Sequence, residues 1–83
     1  MIDCIMCITN EGVLERGNIC GGHWYTIDRI TVKMRSGKRL KRYAVCHNGR
    51  WQSNQTMTLR EAREEVTRLR EEYESAQYYA MNI

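Results

Sequence analysis

Residues 24–53, WYTIDRITVKMRSGKRLKRYAVCHNGRWQS, decide the fold. The run is rich in Trp, Tyr, Thr, Ile and Val, residues that suit a pleated, half-buried surface. Turn chemistry cuts it twice: at Arg35-Ser36-Gly37-Lys38 and at Asn48-Gly49, a strong type I′ hairpin signal. Three antiparallel strands are predicted, over 24–34, 39–47 and 50–53. Alternation sets their faces. Ile30, Val32 and Met34 share one face of the first strand; Leu40, Ala44 and Cys46, together with Arg42, share one face of the second. Joining the two apolar sets pairs Met34 with Leu40 and Arg35 with Arg39 across a three-residue loop, Ser36-Gly37-Lys38. A one-residue slip would bury the lysines. The Asn48-Gly49 loop then pairs Cys46 with Trp51 and His47 with Arg50, which brings Trp51 to the core face. The opposite, solvent face collects Arg29, Lys33, Arg35, Arg39, Lys41, Tyr43, His47 and Arg50, with Lys38 in the turn between the strands.

The charge distribution follows the same division. Net charge is only +3, but residues 29–57 carry eight Lys or Arg and no acid, between flanks in which acids outnumber bases. In the expected register Arg35 faces Arg39 and Lys33 faces Lys41, and like charges directly opposite destabilise a sheet. A polyanion lying across this face would relieve that repulsion and release counterions. Tyr43, beside these cations, adds a surface on which a base can stack. The alternative is that the lysines and arginines are gatekeepers that discourage edge pairing, a task that needs only one or two per edge.

After the strands, Thr58-Leu59-Arg60-Glu61 forms a capping box, in which hydroxyl and carboxylate each satisfy an orphan amide. Leu59, Ala62, Val66, Leu69, Tyr73, Ala76 and Ala80 then recur in steps of three and four, one apolar face of a helix over 58–80. Glu64 to Arg68 and Arg68 to Glu72 are supporting i,i+4 pairs. The expected fold is therefore α+β: a small antiparallel sheet of three to five strands packed against one long C-terminal helix. At 83 residues this is a single domain, 1–83. The tail, with Tyr78, Tyr79, Met81 and Ile83, folds back on the domain, supplies a partner contact or is a frayed end, and the helix stripe also fits a dimer seam; monomer and homodimer both stand.

The N-terminal segment, 1–23, reads as a hairpin or knuckle. A strand over 2–8 and a return over 13–16 flank the turn signal Asn10-Glu11-Gly12. Cys4, Cys7, Cys20 and His23 are spaced C-x2-C-x12-C-x2-H, a ligand pattern for tetrahedral zinc, with Gly21 and Gly22 suited to the second knuckle. The same positions fit strands carrying buried cysteines. Both readings stand, and zinc is the one cofactor the sequence offers.

Enzyme chemistry is not expected. The middle of the chain has no carboxylate, His23 and His47 are the only imidazoles, and adjacent Cys46 and His47 point to opposite faces of a strand. The N-terminus lacks a basic, then apolar, leader, and no stretch approaches the roughly 18 apolar residues of a membrane span. A cytoplasmic, reduced protein without a membrane role is the expectation.

Three antiparallel strands with a basic face followed by one helix, over 24–53 and 58–80, resemble the layout of AP2-type and recombinase arm-binding domains. That resemblance is one of element order across about two thirds of the chain. It implies a sheet in a DNA groove, with Lys33, Arg35, Arg39 and Lys41 at phosphates or base edges. In size and in its one charged face the chain also resembles small phage-encoded inhibitors such as anti-CRISPR proteins. The expected function is a nucleic-acid-binding module. Its rival is an inhibitor that sets the same cations against a nucleic-acid-processing protein complex.

Overall fold

The computed structural model describes residues 2–52 and 56–81, and the side chains among them up to residue 76. Four antiparallel strands lie side by side in chain order in one curled sheet: β1 (Ile5–Asn18), β2 (Trp24–Met34), β3 (Arg39–His47) and β4 (Arg50–Trp51). The helix α1 (Leu59–Met81) packs on it, giving the α+β arrangement read from the sequence.

The N-terminal segment departs from expectation. It forms a single 14-residue strand that pairs along the whole of β2, with no hairpin of its own. Asn10-Glu11-Gly12 is a β-bulge: Asn10 pairs with Ile30 and Gly12 with Arg29, leaving Glu11 as the extra residue. The Asn10 side chain accepts the Gly12 N–H at 2.8 Å and donates to Asp28 Oδ2 at 3.1 Å. Turn-forming residues are thus absorbed without reversing the chain. The reversal comes at Cys20–His23, where the His23 N–H donates to the Cys20 carbonyl at 2.9 Å.

The β2–β3 register also differs from expectation, by two residues. Lys33 pairs with Arg39, Val32 with Leu40 and Thr31 with Lys41, so Arg35 does not face Arg39 and Lys33 does not face Lys41. The cause is Gly37. A three-residue hairpin loop is a type I turn ending in a left-handed residue, and that last place falls to glycine. With φ of +93°, Gly37 closes the loop Arg35-Ser36-Gly37; its N–H donates to the Met34 carbonyl and the Met34 N–H to the Lys38 carbonyl. A two-residue slip preserves every face, so the cations stay together while their partners change. The β3–β4 turn forms as read, pairing Cys46 with Trp51 and His47 with Arg50.

The core is split between the two faces of the sheet. Tyr25, Ile27 and Val45 lie under the helix with Ala62, Val66 and Leu69, and Ile19 joins them from the β1–β2 turn. Ile30, Val32 and Ala44 form a second cluster, flanked by Met34, on the opposite face. The helix therefore covers the face expected to meet solvent, and Trp51 and Leu40, expected in the core, are exposed. What locates the helix is the segment before it. Met57 and Tyr43 exchange backbone hydrogen bonds at 2.8 and 2.9 Å, and the Arg42 guanidinium holds Thr56 through its hydroxyl and carbonyl. The helix starts beside Tyr43 and runs toward His47, where the Tyr73 ring packs at a tilt against His23 and His47. The capping box forms as read, with Thr58 N–H to Glu61 at 2.9 Å and Glu61 N–H to the Thr58 hydroxyl at 3.2 Å. The backbone N–H of Thr58, and then its hydroxyl, hold the Glu61 carboxyl below its ordinary range. Arg68 bridges Glu65 and Glu72, while Glu64 pairs with Arg60 in place of Arg68.

Candidate nucleic-acid interface

Because the helix begins at Tyr43, the part of the sheet toward the β2–β3 turn extends beyond it, in a molecule 55 × 26 × 19 Å across. On this extension Arg29, Lys33, Arg39 and Lys41 project to one side with Tyr43, because Arg29 pairs with Tyr43 and Lys33 with Arg39. Arg29, Arg39 and Lys41 are exposed, while Lys33 and Tyr43 are half-buried. Arg35 and Lys38 lie at the turn, where the Arg35 N–H donates to the Cys4 carbonyl. Arg50 is exposed on β4 opposite His47, roughly 25 Å of strand away from Arg39, and does not join the set. His47 leaves it as well: its Nε2 lies 2.9 Å from His23 Nδ1 beneath the helix.

The cations are uncompensated. All three ion pairs among the described residues lie within the helix, and none involves Arg29, Lys33, Arg35, Lys38, Arg39 or Lys41. One directly opposed like-charge pair remains, Lys33 with Arg39. Over β1, β2 and β3 runs a groove of about 560 Å³ lined by Arg29, Thr31, Lys41 and Tyr43, with Leu14 and Glu11 on its β1 side. Glu11 is the one carboxylate there, and it is in salt-bridge contact with neither cation.

The four spaced zinc candidates do not meet within a chain. Cys4 and Cys7 are exposed near the β2–β3 turn, Cys7 opposite Lys33, while Cys20 and His23 lie at the far end of β2. A continuous β1 is the reason, since it carries the first pair roughly 30 Å from the second. Among the described residues no three His, Cys, Asp or Glu side chains gather as a metal-holding group.

Two polar clusters were missed in the sequence. In one, His23 and His47 stack on each other with Tyr73 tilted against both, and Asn48 lies 3.3 Å from His23 Nδ1. Its signal was parity: His47 shares a face with Val45, and Tyr25 and Ile27 mark that face as apolar. In the other, buried Asp28 accepts from Asn10 and from the Cys46 thiol at 3.6 Å, both at Oδ2, while Oδ1 has no protein partner. Burial first, and then the charge of Asp28, pushes the Cys46 thiol up. A cavity of about 660 Å³ adjoins this pair, walled by Val13, Arg16, Trp24 and Thr26. No helix among the described residues is long and apolar enough to cross a membrane. No protein-family model matches the chain, and no curated protein or solved structure matches it either.

Proposed function

We propose that this chain is a non-enzymatic nucleic-acid-binding module that holds the phosphate backbone against the helix-free extension of its basic sheet face. The observation that carries the reading is the uncovered quartet Arg29, Lys33, Arg39 and Lys41, without a carboxylate partner and with Lys33 set directly against Arg39. Folding alone gains nothing from that pair. A phosphate between the two chains of charge converts the repulsion into attraction and releases bound counterions. Tyr43, at the helix end of the groove, offers a face for one base.

The test is anisotropy of a fluorescent oligonucleotide across a salt series. Four phosphate contacts give a log–log slope of about −3.6 on duplex DNA and about −2.8 on a single strand. Absence of binding at low salt overturns the proposal. Retention of one stoichiometric protein after nuclease treatment would turn the same cations over to the inhibitor reading.

A further inference from the structure

The face of the sheet away from the helix is rich in apolar side chains, and no described helix or strand forms a second layer on it. We propose that a second copy of this chain covers it, in a back-to-back dimer with the two sheets face to face. Ile5, Ile8, Val13, Trp24, Leu40 and Trp51 all belong to this face by their pairing with Met34, Val32, Asp28, Asn18, Val32 and Cys46. Each is a large apolar residue left between 37% and 52% exposed. They ring the buried cluster of Ile30, Val32 and Ala44, and among the described residues no helix or further strand packs on that side.

A sheet with an apolar face needs a partner layer, and α1 is spent on the other side. At about 200 Å² for a fully exposed large apolar side chain, the six residues offer roughly 500 Å². That is at the upper end of what a monomer leaves as one patch, about 300–600 Å². The polar residues set among them, Asn10, Thr26 and Arg16, bring the face toward the roughly 800 Å² per partner of a standard interface.

Charge favours a copy of the same chain. The face carries Arg16 and the buried Asp28, while Arg42 is engaged with Thr56, so two copies meet without like-charge conflict. A two-fold axis makes such a patch self-complementary, and sheets stack about 10 Å apart in this way. Pairing through the edge of β1 is the poorer route, because bulges at Ile5/Cys7, Asn10/Gly12 and Val13/Glu15 break its ladder. The basic quartet points away from the contact, so the dimer forms whether or not nucleic acid binds.

Light scattering on a sizing column reads the mass directly. The wild type is expected at twice the 9.8 kDa chain mass. Leu40→Asp, at an exposed position, is expected at the single-chain mass with an unchanged circular dichroism spectrum. Lys41→Glu, on the other face, is expected to stay dimeric. Trp24 and Trp51, the only tryptophans, both lie on the face. Their emission should therefore move to longer wavelength as wild-type protein is diluted, a readout that survives any failure of the variant to fold. A wild type at single-chain mass at every concentration overturns the proposal and gives the face to some other chain. So does a Leu40→Asp protein that remains a dimer, or an emission maximum that ignores dilution.

Discussion

Arg39→Glu separates what the basic face does for binding from what it does for folding. Arg39 is exposed and stands directly across from Lys33. Reversing its charge converts a like pair into an opposite one, worth about 0.2–1 kcal/mol in a sheet. For a domain of this size 0.5 kcal/mol corresponds to about 2–4 °C in Tm. The gain should shrink with added salt, since the pair is open to solvent. Binding should move the other way. Four phosphate contacts on duplex DNA imply a loss of roughly 150-fold in affinity between about 50 and 200 mM salt, and three imply roughly 40-fold. The new carboxylate also occupies Lys33, so at least one contact's share of the slope, about 0.9, should disappear. The paired assays are a low-salt thermal melt by circular dichroism and an anisotropy titration across salt. A lower Tm for the variant at low salt would refute the frustrated Lys33–Arg39 pair. An unchanged salt slope would remove Arg39 from the interface.

Other outcomes follow from the same geometry. Leu69→Ala opens a cavity where the helix meets Ile27 and Val45 and should cost about 2–5 kcal/mol in urea unfolding, far more than Arg60→Ala at an exposed site. Gly37→Ala meets no atom within 4 Å but forces a side chain to φ +93°, so its cost, about 1 kcal/mol, is purely backbone strain and should appear in the same assay. The Glu61 carboxyl is held below its ordinary value by Thr58. Its folded pKa being the lower, its contribution is present above the unfolded pKa and lost as pH falls through the folded one. Glu61→Gln should therefore lower Tm in the neutral region and flatten the acid limb of the Tm–pH profile below the ordinary glutamate value of 4.5, where the two proteins converge. In thiol labelling at neutral pH, exposed Cys4 and Cys7 should react first, while buried Cys46, its thiol pushed up, should wait for unfolding.

The elements governed by local chemistry were legible in the sequence. Asn48-Gly49 gave its hairpin and register, and Thr58 with Glu61 gave the helix start, because each motif satisfies its own backbone groups. Non-local choices were less so. Asn10-Glu11-Gly12 carries a turn's residues, yet whether such a triplet reverses the chain or bulges depends on β2 being there to pair. The Ser36-Gly37-Lys38 loop failed for a reason that was available: a three-residue loop wants its glycine last. Arg29, Lys33, Arg39, Lys41 and Tyr43 still share a face because strand parity survives a slip of two. Arg50 and His47 have the same parity and are nevertheless apart from them. Parity fixes a side of the sheet and does not fix position along it.

Which face the helix covers has a visible origin in the sequence. In β2 the apolar positions run Tyr25, Ile27 and then Ile30, Val32, so the alternation reverses phase across Asp28 and Arg29. A strand with one buried face keeps a single phase; a reversal means that it is buried on one side near its start and on the other near its end. β3 is buried on both faces at once, with Ala44 and Cys46 on one side and Val45 on the other. Both strands thus specify two cores, and one helix can cover only one of them. The tie of Met57 and Thr56 to Tyr43 and Arg42 assigns it to the Tyr25–Ile27 end. Everything else follows from that assignment. On the helix side the rest of the sheet is left to its cations, and on the other side the cluster of Ile30, Val32 and Ala44 is left with an exposed apolar rim. The phase reversal therefore gives the molecule two open surfaces of opposite character, one suited to phosphate and one suited to another sheet.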